Sequence, residues 1–151
     1  MIDRPATEET SRALESALHY FGQCAPKHTA DEEQSLFPRL RQMLKLSRQL
    51  TKLEQFEEEH CWAAPLHAEV ERLGARYLST GSLSSSEVEV FRKTVASLAS
   101  MYKQHIGVED ELVSPLAARL SSDADKSAIA DEMASRRRVR LVTDLLLEGH
   151  K

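Results

Sequence analysis

The residues best suited to chemistry lie in a thirteen-residue pattern that occurs twice, over residues 28–40 and 105–117. Each copy starts with a histidine, followed by a glutamate four residues later, a second acid directly after it, and a proline ten residues from the histidine. The positions are His28, Glu32, Glu33 and Pro38 in the first copy and His105, Glu109, Asp110 and Pro115 in the second.

The spacing of this pattern predicts a metal site. On a helix, residues four apart lie one turn apart on the same face, so each copy directs an imidazole and a carboxylate at one point. Two such pairs facing each other across a bundle would bind a cation, and this ligand mixture suits iron. The alternative is that each pair only satisfies its own hydrogen bonds. The second acids, Glu33 and Asp110, point about 100° away and should support a ligand or face solvent.

The composition predicts one domain over residues 1–151. The low content of glycine (5 residues), proline (5 residues) and aromatic side chains (5%) favours an all-α fold over a sandwich or barrel. The net charge of -4 gives no electrostatic case for nucleic acid. One basic run, residues 136–140, has acids around it, and we interpret it as a solvated helix face.

Membrane and secretory signals are not recognisable in the sequence, because no apolar run is long enough to cross a bilayer. The two cysteines, Cys24 and Cys61, predict free thiols in a reduced, cytoplasmic setting, although a single disulfide stays compatible with the sequence. We expect Cys61, which adjoins His60, to be buried or half-buried.

Helical periodicity predicts an up-and-down bundle of three long helices plus a C-terminal helix. The predicted ranges are 7–43, 47–78, 86–120 and 126–147, of which 7–120 form the core. Pro26 and Pro65 lie inside helices and should bend them. Ser86 and Glu89 have the spacing of a capping box that opens the third helix.

Every candidate ligand lies on a seam that should face the bundle core. In the second helix the seam is Leu53, Phe56, His60, Ala63, His67 and Val70. A lone ionised glutamate on such a seam would cost several kcal/mol of desolvation, and a cation is the simplest partner for Glu32 and Glu109. His67 lies about 10 Å along the axis from His60, which favours packing or hydrogen bonding, with a role as replacement ligand as the alternative.

These residues resemble the hemerythrin-like, or HHE cation-binding, domains, and the resemblance covers residues 7–120. Its most specific parts are the two His-x3-Glu copies with matched prolines and the dipeptide Glu59-His60 between them. The resemblance implies a four-helix bundle with a non-haem di-iron centre that can admit oxygen or nitric oxide. The implied ligands are the terminal histidines His28, His60 and His105 and the bridging glutamates Glu32 and Glu109.

The sequence also departs from this family. There, a helix with one more histidine ligand precedes the segment that begins here at Thr7, and residues 1–6 are too few to form it. Three possibilities stay open: a longer natural chain contains the helix, a partner in a homo-oligomer supplies it, or the C-terminal helix closes the bundle without a ligand. In the last case five ligands remain, and a mononuclear centre becomes credible.

The expected function is that of a di-iron protein that binds O2 or a related small molecule, or that senses iron or oxygen status. Binding is favoured over turnover of a substrate. One alternative is a metal-free or degenerate helical interaction module. Another is a ferritin-like di-iron oxidase, but that class needs two Glu-x-x-His motifs, and here Glu57-x-x-His60 is the one such motif.

Overall fold

The predicted all-α bundle of three long helices and a C-terminal helix is confirmed. The computed structural model describes residues 6–44, 48–120 and 122–148. The first long helix comprises α1 (Glu8–His19), a π-helical turn (Tyr20–Cys24), α2 (Ala25–Asp31), a second π-helical turn (Glu32–Leu36) and α3 (Phe37–Met43). The others are α4 (Arg48–Thr80), then α5 (Ser85–Val108) with a π-helical turn (Glu109–Val113) and α6 (Ser114–Leu120), and finally α7 (Asp123–Glu148). None of the described helices is long and apolar enough to cross a membrane.

Both copies of the repeated pattern contain a π-helical turn that starts at the glutamate, Glu32 or Glu109. The next α-helical segment then has a proline as its second residue, Pro38 or Pro115. Proline lacks an N–H, and its ring clashes with the carbonyl four residues earlier. A local i→i+5 turn accommodates this defect without ending the helix. Pro26 follows a π-helical turn in the same way, so it interrupts the α-helical register without ending the first long helix, as predicted.

Two helices start earlier than the sequence predicts. The hydroxyl of Ser84 accepts a hydrogen bond from the Glu87 N–H, and the Glu87 carboxylate accepts one from the Ser84 N–H. This box opens α5 two residues before the predicted box at Ser86. The same reciprocal bonds join Ser122 and Asp125, which start α7 three residues early. In each case an earlier serine with an acid three residues later satisfies the free N–H groups of the first turn.

Two apolar clusters hold the long helices together at opposite ends of α4. The larger one joins α3, α4 and the third long helix, and its buried members are Phe37, Leu40, Leu44, Leu53, Phe56, Val113 and Leu116. The other centres on Leu14 of α1 and Tyr77 of α4, with partly buried side chains from α5. Leu53 and Tyr77 are separated by about 36 Å of helix. The candidate ligands lie between the clusters, held from both ends.

The C-terminal helix α7 packs on the first long helix through charged side chains. Asp31 is fully buried, and it accepts hydrogen bonds from Arg136 Nη1 at 2.8 Å and from Arg137 Nη2 at 2.7 Å. The guanidinium of Arg39 donates to both carboxylate oxygens of Glu132, at 3.1 and 2.8 Å. These bonds anchor α7 at the residue directly before Glu32.

The prediction that the basic run is a solvated helix face is therefore wrong for Arg136, whose side chain is 20% exposed, whereas the Arg137 side chain is 49% exposed and still bonds to Asp31. A buried, unpaired carboxylate is strongly unfavourable, so Asp31 requires positive partners. Those partners come from more than one hundred residues away along the chain, a distance at which charge patterning gives no signal. The side chains of residues 138–140 lie outside the described ones.

Candidate metal centre

Glu32 lies at the centre of the site as an unpaired buried carboxylate. The residue is 3% exposed. Among the described residues, its two carboxylate oxygens are the buried side-chain atoms without a hydrogen-bond partner. Burial, followed by the negative charges of Glu109, Glu33 and Asp31, raises the pKa of Glu32 to about 8. The carboxylate thus requires a proton or a cation beside it, and the alternative of a pair satisfied by its own hydrogen bonds is wrong for the first copy.

Two histidines from different helices lie on one side of Glu32. His60 of α4 places Nε2 at 3.4 Å from Glu32 Oε2. The imidazole rings of His60 and of the buried His105 of α5 have centroids 5.0 Å apart. One ligand atom from each of these three residues lies within 4.8 Å of the others, so they could hold one ion.

The other side of Glu32 faces a second group. His28 Nε2 lies 3.7 Å from Glu32 Oε1 and 3.9 Å from Glu109 Oε2. These three residues also offer ligand atoms within 4.8 Å of one another. Glu32 therefore belongs to both groups, with one carboxylate oxygen towards each. Glu109 belongs only to the second group among the described residues.

Two further carboxylates fix the orientation of the imidazoles. His60 Nδ1 lies 2.9 Å from Glu33 Oε1, and His105 Nδ1 lies 2.7 Å from Glu59 Oε2. A carboxylate accepts hydrogen bonds, so Nδ1 is the donor in each ring, which leaves Nε2 of the neutral imidazole free to bind a metal. Carboxylates that accept from the far nitrogen of a metal-binding histidine are usual in metal sites. Glu33 thus holds the imidazole of His60, and Asp110 is exposed.

The donor set of the two groups fits iron. It combines imidazole nitrogens with carboxylate oxygens and contains no thiolate, a mixture that suits iron and other borderline divalent metals. Ligand atoms bind such ions at about 2.0–2.2 Å, so two atoms on one ion lie about 3 to 4 Å apart. The nitrogen–oxygen distances of 3.4 to 3.9 Å around Glu32 are in this range. The unpaired oxygens of Glu32 are the strongest sign that a cation belongs here.

His67 is the one predicted ligand that lies outside both groups. Its Nε2 is 2.8 Å from the hydroxyl of Tyr102. The ring of Phe21 lies against it, with centroids 5.2 Å apart. Burial lowers the pKa of His67, which favours the neutral imidazole. These contacts agree with the hydrogen-bonding role that its distance from His60 favoured.

An open pocket of about 380 Å³ adjoins both groups. It lies between the three long helices, and none of its lining residues comes from α7. The described part of the C-terminal helix thus folds back onto the first long helix and contributes no residue to either group, as one of the three possibilities has it, but it does not cover the pocket.

Sequence reasoning missed two functional contacts and misplaced one thiol. Glu59 was noted only beside His60, yet its carboxylate holds the ring of His105. Tyr102 carried no functional prediction, yet it bonds to His67. The position of Glu59, one residue before a ligand, was the available signal. Cys61 is exposed and not buried, and Cys24 and Cys61 are both free thiols, as predicted.

Comparison with known families agrees with this geometry. The family model described as the hemerythrin HHE cation binding domain matches residues 1–117. The chain belongs to this family. Members of the hemerythrin family are helical bundles that bind a metal cation, and the two groups around Glu32 are candidate sites for that cation. Residues 118–151, including α7, lie beyond the match. No curated protein and no solved structure matches the chain.

Proposed function

We propose that this hemerythrin-family protein holds two non-haem iron ions that share Glu32. The observation that carries the proposal is the pair of buried, unpartnered oxygens of Glu32, one directed towards each group of ligands. His60 and His105 would bind the first ion through Nε2. His28 and Glu109 would bind the second. His67 is assigned to the pocket wall and not to a metal.

The function that this centre supports best is reversible binding of O2 or a related small molecule such as nitric oxide, or sensing of iron or oxygen. Bound iron supplies a change of oxidation state and an open coordination position. The residues of the chain orient the ligands and limit access of water. Glu33 and Glu59 hold two imidazoles, and the burial of Glu32 keeps water from its carboxylate. A cytoplasmic location is part of the proposal, since two free thiols suit a reducing compartment.

The test is anaerobic loading of the purified chain with Fe(II), followed by measurement of iron content, near-ultraviolet absorption on exposure to O2, and melting temperature. We expect two irons per chain, a ligand-to-metal absorption band, and a higher melting temperature, because a ligand that binds only the folded state stabilises it. Absence of bound iron with an unchanged melting temperature would favour the metal-free interaction module. Sustained turnover of Fe(II) would favour the oxidase.

A further inference from the structure

The pocket beside the metal centre is larger than a diatomic molecule requires. Its volume is about 380 Å³, whereas one small molecule such as water takes roughly 30 Å³ in the liquid. Pockets for organic ligands typically begin at about 300 Å³. The space therefore accommodates an organic molecule next to the centre, which O2 binding alone does not explain.

The wall of the pocket is mainly aliphatic and aromatic. The apolar side chains that form most of it include Phe21, Val70, Val95, Leu98, Ala99 and Ile106. No lysine or arginine lines it, whereas its floor carries the carboxylate of Glu109. In the metal-free chain, an anionic ligand would have no lysine or arginine to pair with and would meet the carboxylate of Glu109. These features favour an uncharged, largely apolar ligand.

Apart from the residues of the two ligand groups, four polar side chains line the pocket: Tyr20, Thr29, His67 and Tyr102. Tyr102 and His67 both line the pocket, and they share one hydrogen bond of 2.8 Å. If Tyr102 donates that bond, its oxygen can still accept another, and if His67 donates it, the Tyr102 hydroxyl can still donate one. A hydroxyl group on the ligand suits either case, because it both donates and accepts. The ring of Phe21, with its centroid 6.1 Å from that of Tyr102, offers an adjacent aromatic surface.

We propose that this pocket binds an uncharged organic molecule with an apolar body and one hydroxyl group, a phenol or an alcohol, whose hydroxyl bonds to Tyr102. The body of the ligand lies against Phe21 and the aliphatic wall of α4 and α5. This site goes beyond the proposed function, since it recognises its ligand without the metal. The ligand nevertheless lies beside His28 and Glu109, where it would limit access to the second ion.

Calorimetric titration of the full chain tests the proposal, with para-butylphenol as the probe and para-butyltoluene, which has a methyl group in place of the hydroxyl, as the matched control. We expect Tyr102→Phe to weaken binding of the phenol roughly fivefold, as loss of one hydrogen bond implies, and to leave binding of the toluene derivative unchanged. A phenol affinity that Tyr102→Phe leaves unchanged, or no binding of the phenol, would overturn the proposal.

A pair of matched variants tests the location of the site. Because both carry the same substitution on α5, a small loss of stability common to both does not affect the comparison. Ala99 and Ala96 are both exposed on α5, but only Ala99 lines the pocket. Ala99→Phe should fill the space and weaken binding of the phenol at least tenfold, and Ala96→Phe should leave it unchanged. Equal affinities of the two variants would contradict this location.

Two measurements on the same samples distinguish the phenol site from the metal centre and from a dimer interface. Iron content is determined independently of phenol binding, so a chain that binds the phenol but no iron would refute only the proposed function. The mass in solution tests whether a second copy of this chain occupies the pocket. A dimer that Ala99→Phe abolishes and Ala96→Phe preserves would assign the pocket to that second copy and overturn the small-molecule proposal.

Discussion

The two copies of the repeated pattern have the same residue types at the same spacing, yet their environments are reversed. In the first copy the histidine side chain, His28, is 56% exposed and the glutamate side chain, Glu32, is 4% exposed. In the second copy the His105 side chain is 3% exposed and that of Glu109 is 24% exposed. The first copy thus contributes a buried carboxylate and the second a buried imidazole.

This reversal explains how one repeat can form an asymmetric centre. The buried Glu32 contacts the partners on both sides, whereas the more accessible His28 and Glu109 face the open pocket. The ion between His60 and His105 would be the enclosed one, and the ion between His28 and Glu109 would be the accessible one. Substitutions at equivalent positions of the two copies should therefore have unequal effects.

The largest expected effect distinguishes the two glutamates. Glu32→Gln removes the charge that both groups share, and we expect loss of both irons with an affinity lower by about three orders of magnitude, or roughly 4 kcal/mol. Glu109→Gln should remove only the accessible iron. Metal analysis after loading with excess Fe(II) checks both. Equal retention of iron in the two variants would show that the copies are equivalent.

The pH dependence of the metal-free chain should follow the buried carboxylate of the first copy. Burial raises the pKa of Glu32 to about 8 from its ordinary value of 4.5, so between these values the folded state holds a proton that the unfolded state releases. The free energy of unfolding should then fall as the pH rises from about 4.5 to about 8, by on the order of 4 kcal/mol.

Denaturant unfolding at several pH values measures this loss, and metal-free Glu32→Gln is the control, since it has no such group to ionise. The difference between the unmodified chain and this variant isolates the contribution of Glu32 from that of other titrating groups. A difference that stays constant over the whole range would mean that Glu32 ionises normally in the folded state.

A smaller effect is expected for the carboxylates that hold the imidazoles. Glu59→Gln and Glu33→Gln should lower iron affinity by roughly 10- to 100-fold, because each removes the acceptor that fixes a histidine ring. Glu58→Gln, at the exposed position of α4 directly before Glu59, should leave the affinity unchanged. Competition with a chelator provides the affinities. If all three variants behave alike, Glu59 and Glu33 do not orient ligands.

The smallest expected effect concerns the anchoring of the first copy by α7. Arg136→Gln leaves the buried Asp31 with Arg137 as its remaining arginine, and should lower the free energy of unfolding by about 1–3 kcal/mol. Arg12→Gln breaks an exposed pair with Glu8 and should change it by less than about 0.5 kcal/mol. Denaturant titration compares them, and equal losses would show that the contact with Asp31 is no stronger than a surface pair.

Much of the fold and of the candidate site could be predicted from local rules. The helical period and the two-copy repeat predicted the long helices. They also predicted that the candidate ligands lie at the same height along the bundle, namely His28, Glu32, His60, His105 and Glu109. These signals depend on spacing along one helix, which the sequence displays directly. They also disfavoured His67 as a ligand, because a separation of seven helical residues places it too far from His60 to share an ion.

What the sequence did not reveal depends on contacts between helices. The bond of Glu59 to His105 joins α4 to α5, and the bonds of Arg136 and Arg137 to Asp31 join α7 to the first long helix. The reversed burial of the two copies likewise results from which side α7 covers and which side the pocket leaves open. Residue types at fixed spacing along one helix do not indicate which other helix covers which of its sides.

The most direct test of a carboxylate shared by two ions is X-ray absorption at the iron edge of the iron-loaded chain. We predict iron–iron scattering in a sample with two irons per chain, and its loss in Glu32→Gln. A loaded chain with one iron, or with two irons and no iron–iron scattering, would contradict the account.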